Sequence, residues 1–275
     1  MQTDNKLNLK RPLIIVGAIV VLFIIFLIVK SPTTNNPNAP DTVASSSLLN
    51  KLYSIPTSVL NKVGSGTSSQ KPEPISGQPL QTSTGLPKVL YMGAEYCPYC
   101  ATERWAMVIS LSRFGTFSNL KLTHSSTTDV YPDTQTFSFY GSSFNSTYFS
   151  FDPIELYSNI PSGSGYTVLQ KPTSLQQSLQ NTYDAPPYVS SSDQGAIPFI
   201  YFAGKYLIVG ATYSPQLLQG ETYDQIAASL DNPSNPIAKG MLGAANNISA
   251  ALCKLTNNKP LTACTTTIQN LETKL

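Results

Sequence analysis

Pro12–Val29 is an unbroken apolar run near the start of the chain. As a helix rising about 1.5 Å per residue it would span about 27 Å, close to the hydrocarbon thickness of a bilayer. The run is apolar all round and terminal, which suits a buried core helix poorly. A cleaved signal peptide is the rival reading. Its apolar region is normally about 7–15 residues, and Ser31-Pro32-Thr33-Thr34 makes a poor cleavage site. A transmembrane anchor over residues 12–29 is therefore expected, preceded by a short tail over residues 1–11.

Beyond it, residues 31–42 have nothing to bury and read as linker. Leu48, Leu49, Leu52, Val59, Leu60 and Val63, broken at Pro56, predict two short helices that pack on the domain. Residues 64–82 return to Gly, Ser, Pro and Gln, so residues 30–82 are expected to be linker with short helices, and 83–275 the main domain. Lys88–Met92 reads as a buried strand, and Gly93–Tyr96 as a loop. A helix is expected from near Cys97, with Ala101, Trp105, Val108 and Ile109 on one apolar face and Gly115 at its end. Leu120–Thr123 reads as a further strand. Residues 125–190 scatter Phe137, Phe139, Tyr148, Phe149 and Phe151 among Ser and Thr, predicting short strands and large loops. Phe199–Phe202 and Tyr206–Val209, joined by Ala203-Gly204-Lys205, read as a hairpin. From Ser214 the pattern is helical, with breaks at Asn232-Pro233 and Asn235-Pro236. The sum is an α/β domain without internal repeats.

Charge changes the picture in two ways. Charged residues are only 12% of the chain, about half the usual ~25%, so the surface is polar without being ionic. Lys6, Lys10 and Arg11 precede the apolar run and Lys30 follows it, with Asp4 the lone acid. This places the N-terminus in the cytoplasm and residues 31–275 outside. Net charge is +2, but residues 1–30 hold four of the 17 basic and one of the 15 acidic residues, leaving −1 for the rest. No basic face remains for nucleic acid.

The candidate chemistry is Cys97-Pro98-Tyr99-Cys100, a C-x-x-C where strand and loop meet a helix. A sulfur at a helix N-terminus meets free N–H groups and the positive dipole end, which favour its thiolate. A second sulfur one turn on can attack a mixed disulfide and release its partner. Pro98 suits the first turn, where its missing N–H is not needed. A zinc site would want a second close pair. Cys253 and Cys264 are too far apart to supply one, and the only histidine, His124, sits among Ser and Thr. No metal or cofactor is expected. A permanently oxidised, inert bridge is the other alternative. Cys253 and Cys264 flank a polar turn and read as a structural disulfide, with a relay pair or free thiols as alternatives. Asn145 and Asn247 begin N-glycosylation sequons. Glu95 reads as loop solvation or as a proton-transfer group for Cys100. Trp105 reads as core.

Gly93–Cys100 (GAEYCPYC), Thr102-Glu103-Arg104-Trp105, Ser112–Phe117 (SRFGTF) and Thr123–Pro132 (THSSTTDVYP) resemble an archaeal family, seen in Sulfolobus relatives and catalogued as domain of unknown function 929. The wider resemblance is to thioredoxin-like oxidoreductases, among them glutaredoxins and membrane-anchored periplasmic disulfide oxidases and isomerases. It implies a thioredoxin-like fold with Cys97 as nucleophile, Cys100 as resolving thiol and Pro198 as a cis-proline beside them. Ile197 would then align an extended substrate, with Tyr96 and Tyr99 at the same surface. Pro198 lies much farther from Cys97 than in a minimal thioredoxin, so a large insertion is expected over about 125–190. The function implied is thiol–disulfide exchange on extracytoplasmic protein cysteines, with protein thiols or disulfides as partners and a membrane redox protein as a further one. The reading from a different class is a cell-envelope binding or structural protein with an inert thioredoxin-like domain. Its binding surface would be the aromatic segment.

Overall fold

The computed structural model describes residues 41–275; the expected anchor over 12–29 and most of the linker after it lie outside the described residues. Among the described residues no helix is long and apolar enough to cross a membrane. In chain order the elements are α1 (Ser46–Tyr53), α2 (Thr57–Val63), β1 (Glu73–Pro74), β2 (Lys88–Gly93), α3 (Pro98–Leu111), β3 (Thr116–Ser118), β4 (Lys121–His124), β5 (Gln135–Ser138), β6 (Ser143–Asn145), β7 (Ser150–Glu155), β8 (Tyr157–Ser162), β9 (Gly165–Val168), α4 (Ser174–Tyr183), β10 (Phe199–Phe202), β11 (Tyr206–Val209), a 3-10 turn (Pro215–Leu218), α5 (Tyr223–Ser229), α6 (Pro236–Leu255) and α7 (Thr266–Glu272).

This is a mixed α/β architecture. Its central sheet runs β1-β11-β10-β2-β7, with β2 and β7 parallel and the other pairs antiparallel. Buried on both faces, β2 needs the continuous apolar run it carries. Val89 and Tyr91 enter one core with Trp105 and Met241, from α3 and α6. Leu90 and Met92 enter the other with Leu179 and Tyr183 of α4. The sheet is thus the middle of three layers. The turn from β10 to β11 has positive φ at Ala203 and Gly204. At Gly204 a Cβ would meet the Gln78 carbonyl oxygen at 2.5 Å, so only glycine fits.

Four expectations need correction. α3 ends at Leu111, capped by Ser112. Gly115 instead allows a close approach, since a Cβ there would sit 2.3 Å from the Asn145 carbonyl oxygen. α3 also lacks the single apolar face inferred for it: every residue but Tyr99 is buried, including Glu103, Arg104 and Ser110. The stretch 125–190 is no mere insertion. It contains β7, a strand of the central sheet, and α4, which covers one of its faces. β7 escapes the apolar pattern because it is an edge strand, where Pro153 costs no ladder bond. Asn247 is a core position inside α6, only 7% exposed. The folded chain leaves a glycan no room there, whereas Asn145 is exposed.

The aromatic side chains of that stretch close a core instead of forming a surface. Phe137, Phe139 and Phe149 are buried, and Phe139 packs edge-on against Tyr91 and Phe151, each at 5.1 Å between ring centroids. Trp105 donates its indole N–H to the Gln135 carbonyl at 2.8 Å and lies 4.6 Å from the Phe137 ring. The segment before residue 83 also joins the fold. Leu48 and Leu52 of α1 are buried in the larger core, and β1 extends the sheet. Cys253, in the last turn of α6, is disulfide-bonded to Cys264, and both are buried.

Candidate functional site

β2 ends at Gly93, and Ala94-Glu95-Tyr96 turns the chain into α3. Cys97 is the N-cap of that helix, its sulfur accepting from the Cys100 backbone N–H at 3.4 Å, with Pro98 at the first helical position. Cys97 and Cys100 are free thiols, 6% and 0% exposed. The Cys97 thiol donates to the Ile197 carbonyl at 3.8 Å, and the Ile197–Pro198 bond is cis. β2, α3 and the start of β10 thus bring Cys97, Cys100, Ile197 and Pro198 together. Among the described residues the Ile197 N–H has no partner.

The two sulfurs differ in acidity. Hydrogen bonding from the Cys100 thiol lowers Cys97 below the ordinary thiol value, against burial, with help from the Cys100 N–H and the Arg104 charge. Burial raises Cys100 well above that value. The arrangement suits a nucleophile at the mouth and a protonated resolving thiol beneath it.

Tyr99 points outward, 41% exposed, with the Tyr131 ring edge-on to it at 6.1 Å. Tyr96 is half-buried and stacked on Tyr166 at 4.3 Å, so one ring face is already covered. The β8–β9 hairpin that carries Tyr166 also holds the loop, through Glu95 N–H to the Tyr157 carbonyl at 2.8 Å. Glu95 accepts from the Ser138 hydroxyl at 2.5 Å, and burial raises its carboxyl above the ordinary value. His124 is half-buried and paired with Asp133 at 3.0 Å. Among the described residues no three His, Cys, Asp or Glu side chains converge as metal ligands do.

Sequence reasoning missed the charges buried behind the dithiol. Arg104 lies one turn beyond Cys100 and two beyond Cys97, on the same side of α3. It donates to both oxygens of Glu155 on β7 at 2.8 and 2.7 Å, and both side chains are fully buried. Burial alone would lower Arg104, but Glu155, Tyr91 and Cys100 together more than offset it and the guanidinium stays charged. The signal for such a pair was present as charges in the middle of an apolar helix. Their partner, 51 positions away, was not readable.

Glu103 is the second buried charge of α3. It accepts from the Thr212 N–H at 2.9 Å and hydroxyl at 2.8 Å, and burial pushes its carboxyl up to about 7. The unfolded carboxyl titrates near 4.3. Between those values the unfolded chain has shed a proton that the folded chain keeps, so stability falls as pH rises and levels off above about 7. The full loss is roughly 4 kcal/mol. Glu103→Gln should remove that slope and stabilise the protein at pH 8. Urea denaturation from pH 4 to 8 checks this, and parallel profiles for the two proteins would refute it.

The family model described as Domain of unknown function (DUF929) matches residues 73–254. No curated protein and no solved structure matches the chain.

Proposed function

The chain belongs to the DUF929 family, and for the site within the matched residues we propose thiol–disulfide exchange on protein cysteines. The observation that carries this reading is the placement of the two thiols: Cys97 caps the helix N-terminus with its thiol on the Ile197 carbonyl, and Cys100, one turn on, lies fully buried beneath it. We read the fold as thioredoxin-like, because the dithiol helix follows a central strand and an X-Pro precedes the neighbouring hairpin beside it.

The reaction follows from the geometry. The Cys97 thiolate attacks one sulfur of a substrate disulfide, that S–S bond breaks, and the departing sulfur takes up a proton. Cys100 loses its proton and attacks the Cys97 sulfur, closing the 97–100 disulfide and releasing the second substrate thiol. Two electrons pass to the substrate, and the reverse sequence oxidises it. The unpaired N–H of Ile197 and its carbonyl, beside Cys97, offer an extended substrate backbone its hydrogen bonds.

We place this reaction outside the cytoplasm, on a chain anchored by residues 12–29 and recharged by a membrane redox partner. The basic residues before Pro12 support that orientation. As a test, the purified full chain should accelerate oxidative refolding of a reduced disulfide protein in a glutathione buffer, and Cys97→Ser should not. A thiol reagent that cannot cross membranes should label Cys97 on intact cells. A refolding rate equal to that of buffer alone would defeat the exchange reading, and absence of labelling would defeat the topology.

A further inference from the structure

Beside the dithiol lies a cavity of about 520 Å³. Neither cysteine lines it, but two of their neighbours do: Tyr99, which stands between them, and Ile197, whose carbonyl touches Cys97. Its volume is in the range of small-ligand sites and ample for one long side chain. Its walls are of two kinds. Val189, Leu207 and Val209 give aliphatic surface, and the exposed rings of Tyr99 and Tyr188 stand beside it. The charged lining residues are Glu73, on β1, and Asp193, both exposed and both acidic. Asp193 accepts from the Ser190 hydroxyl at 2.7 Å, and Glu73 makes no ion pair among the described residues. Among the described residues no lysine or arginine lines this cavity. The same is true of a second one, of about 410 Å³, on the Tyr96 side of Ile197, where Asp184 is the charged residue.

An apolar side chain entering the first cavity would desolvate two carboxylates without compensation. An acidic one would be repelled. Lysine and arginine fit both kinds of wall, with an aliphatic stem for the apolar face and a cation for the carboxylates and tyrosine rings. We propose, resting on the exchange reading above, that the site selects substrate cysteines with a basic residue close by in sequence, and that this residue occupies the cavity between Tyr99, Glu73 and Asp193. Glu73 and Asp193 touch the substrate's neighbour and not the reacting sulfurs, so they set specificity without taking part in the exchange.

The test uses the reduced full chain and symmetrical peptide disulfides, each peptide carrying one cysteine. Lysine, alanine or glutamate is placed one to three positions to either side of it. Lysine on one flank should raise the exchange rate about fivefold over alanine, and glutamate should lower it by a similar factor. Raising the salt should shrink the difference. In Glu73→Gln/Asp193→Asn the lysine-to-alanine ratio should fall to about one. In Glu73→Lys/Asp193→Lys the preference should pass to glutamate. Equal rates for the three peptides, or a ratio unmoved by the double variants, would overturn this inference while leaving the exchange reading standing. No exchange with any peptide would defeat the exchange reading and this inference together.

Discussion

Cys100→Ser is expected to leave Cys97 joined to its substrate. The first attack needs only Cys97, which sits at the helix N-cap and is the more exposed of the two sulfurs. Release needs Cys100, held one turn away. A well-placed intramolecular group acts as if present at ~10⁵ M or more. An external thiol at millimolar concentration cannot match that, so the adduct should outlive the wild-type one by at least about a thousandfold. Cys97→Ser should give no exchange and no adduct, because the remaining thiol is fully buried and burial keeps it protonated. Non-reducing electrophoresis and mass spectrometry after incubation with a disulfide-bonded protein read both results. Adducts in equal amount from the two variants would mean that the sulfurs are interchangeable, which the geometry denies.

The second large effect concerns the ion pair behind the site. Arg104 and Glu155 are fully buried and joined by two hydrogen bonds. Glu155→Leu would strand the guanidinium, already without a partner at Nη1 among the described residues. The expected cost is about 3–5 kcal/mol, a fall in Tm of about 10 °C. Arg104→Met/Glu155→Leu should recover most of that stability, since replacing both partners removes the buried charge altogether. The double variant should differ from wild type in the dithiol. The Arg104 charge is among the causes that lower Cys97, so its loss should raise the Cys97 pKa. The pH dependence of Cys97 alkylation measures this. If the single change costs under about 1 kcal/mol, or the double variant is no more stable than the single, the pair is not what holds β7 to α3 here.

The dithiol was readable because its chemistry is local. A thiol pair three apart, a proline at the first helical position and a preceding apolar run all fall within a dozen residues. The β10–β11 hairpin was readable for the same reason. β7 was not, because Asp152 and Pro153 interrupt the strand pattern and only the edge position makes them tolerable. α4 was obscured differently. Leu179 and Tyr183 are the large apolar residues it buries, among Gln, Ser and Asn. A readable mark was nonetheless there, since Thr173 and Gln176 form a capping box at its start. The Arg104–Glu155 pair and the acidic cavity join residues from distant segments, and no spacing rule reaches that far.

The account stands or falls on whether Cys97 and Cys100 cycle between dithiol and disulfide in the folded protein. Equilibrating the full chain in a graded series of thiol and disulfide buffers, quenching by alkylation and mapping the peptides measures this directly. The account predicts one reversible two-electron transition, confined to Cys97 and Cys100, between about −120 and −270 mV, where known exchangers lie. Cys253–Cys264, buried and disulfide-bonded, should stay closed across that range. Cys97 and Cys100 fixed in one state throughout, with the fold intact, would contradict the account.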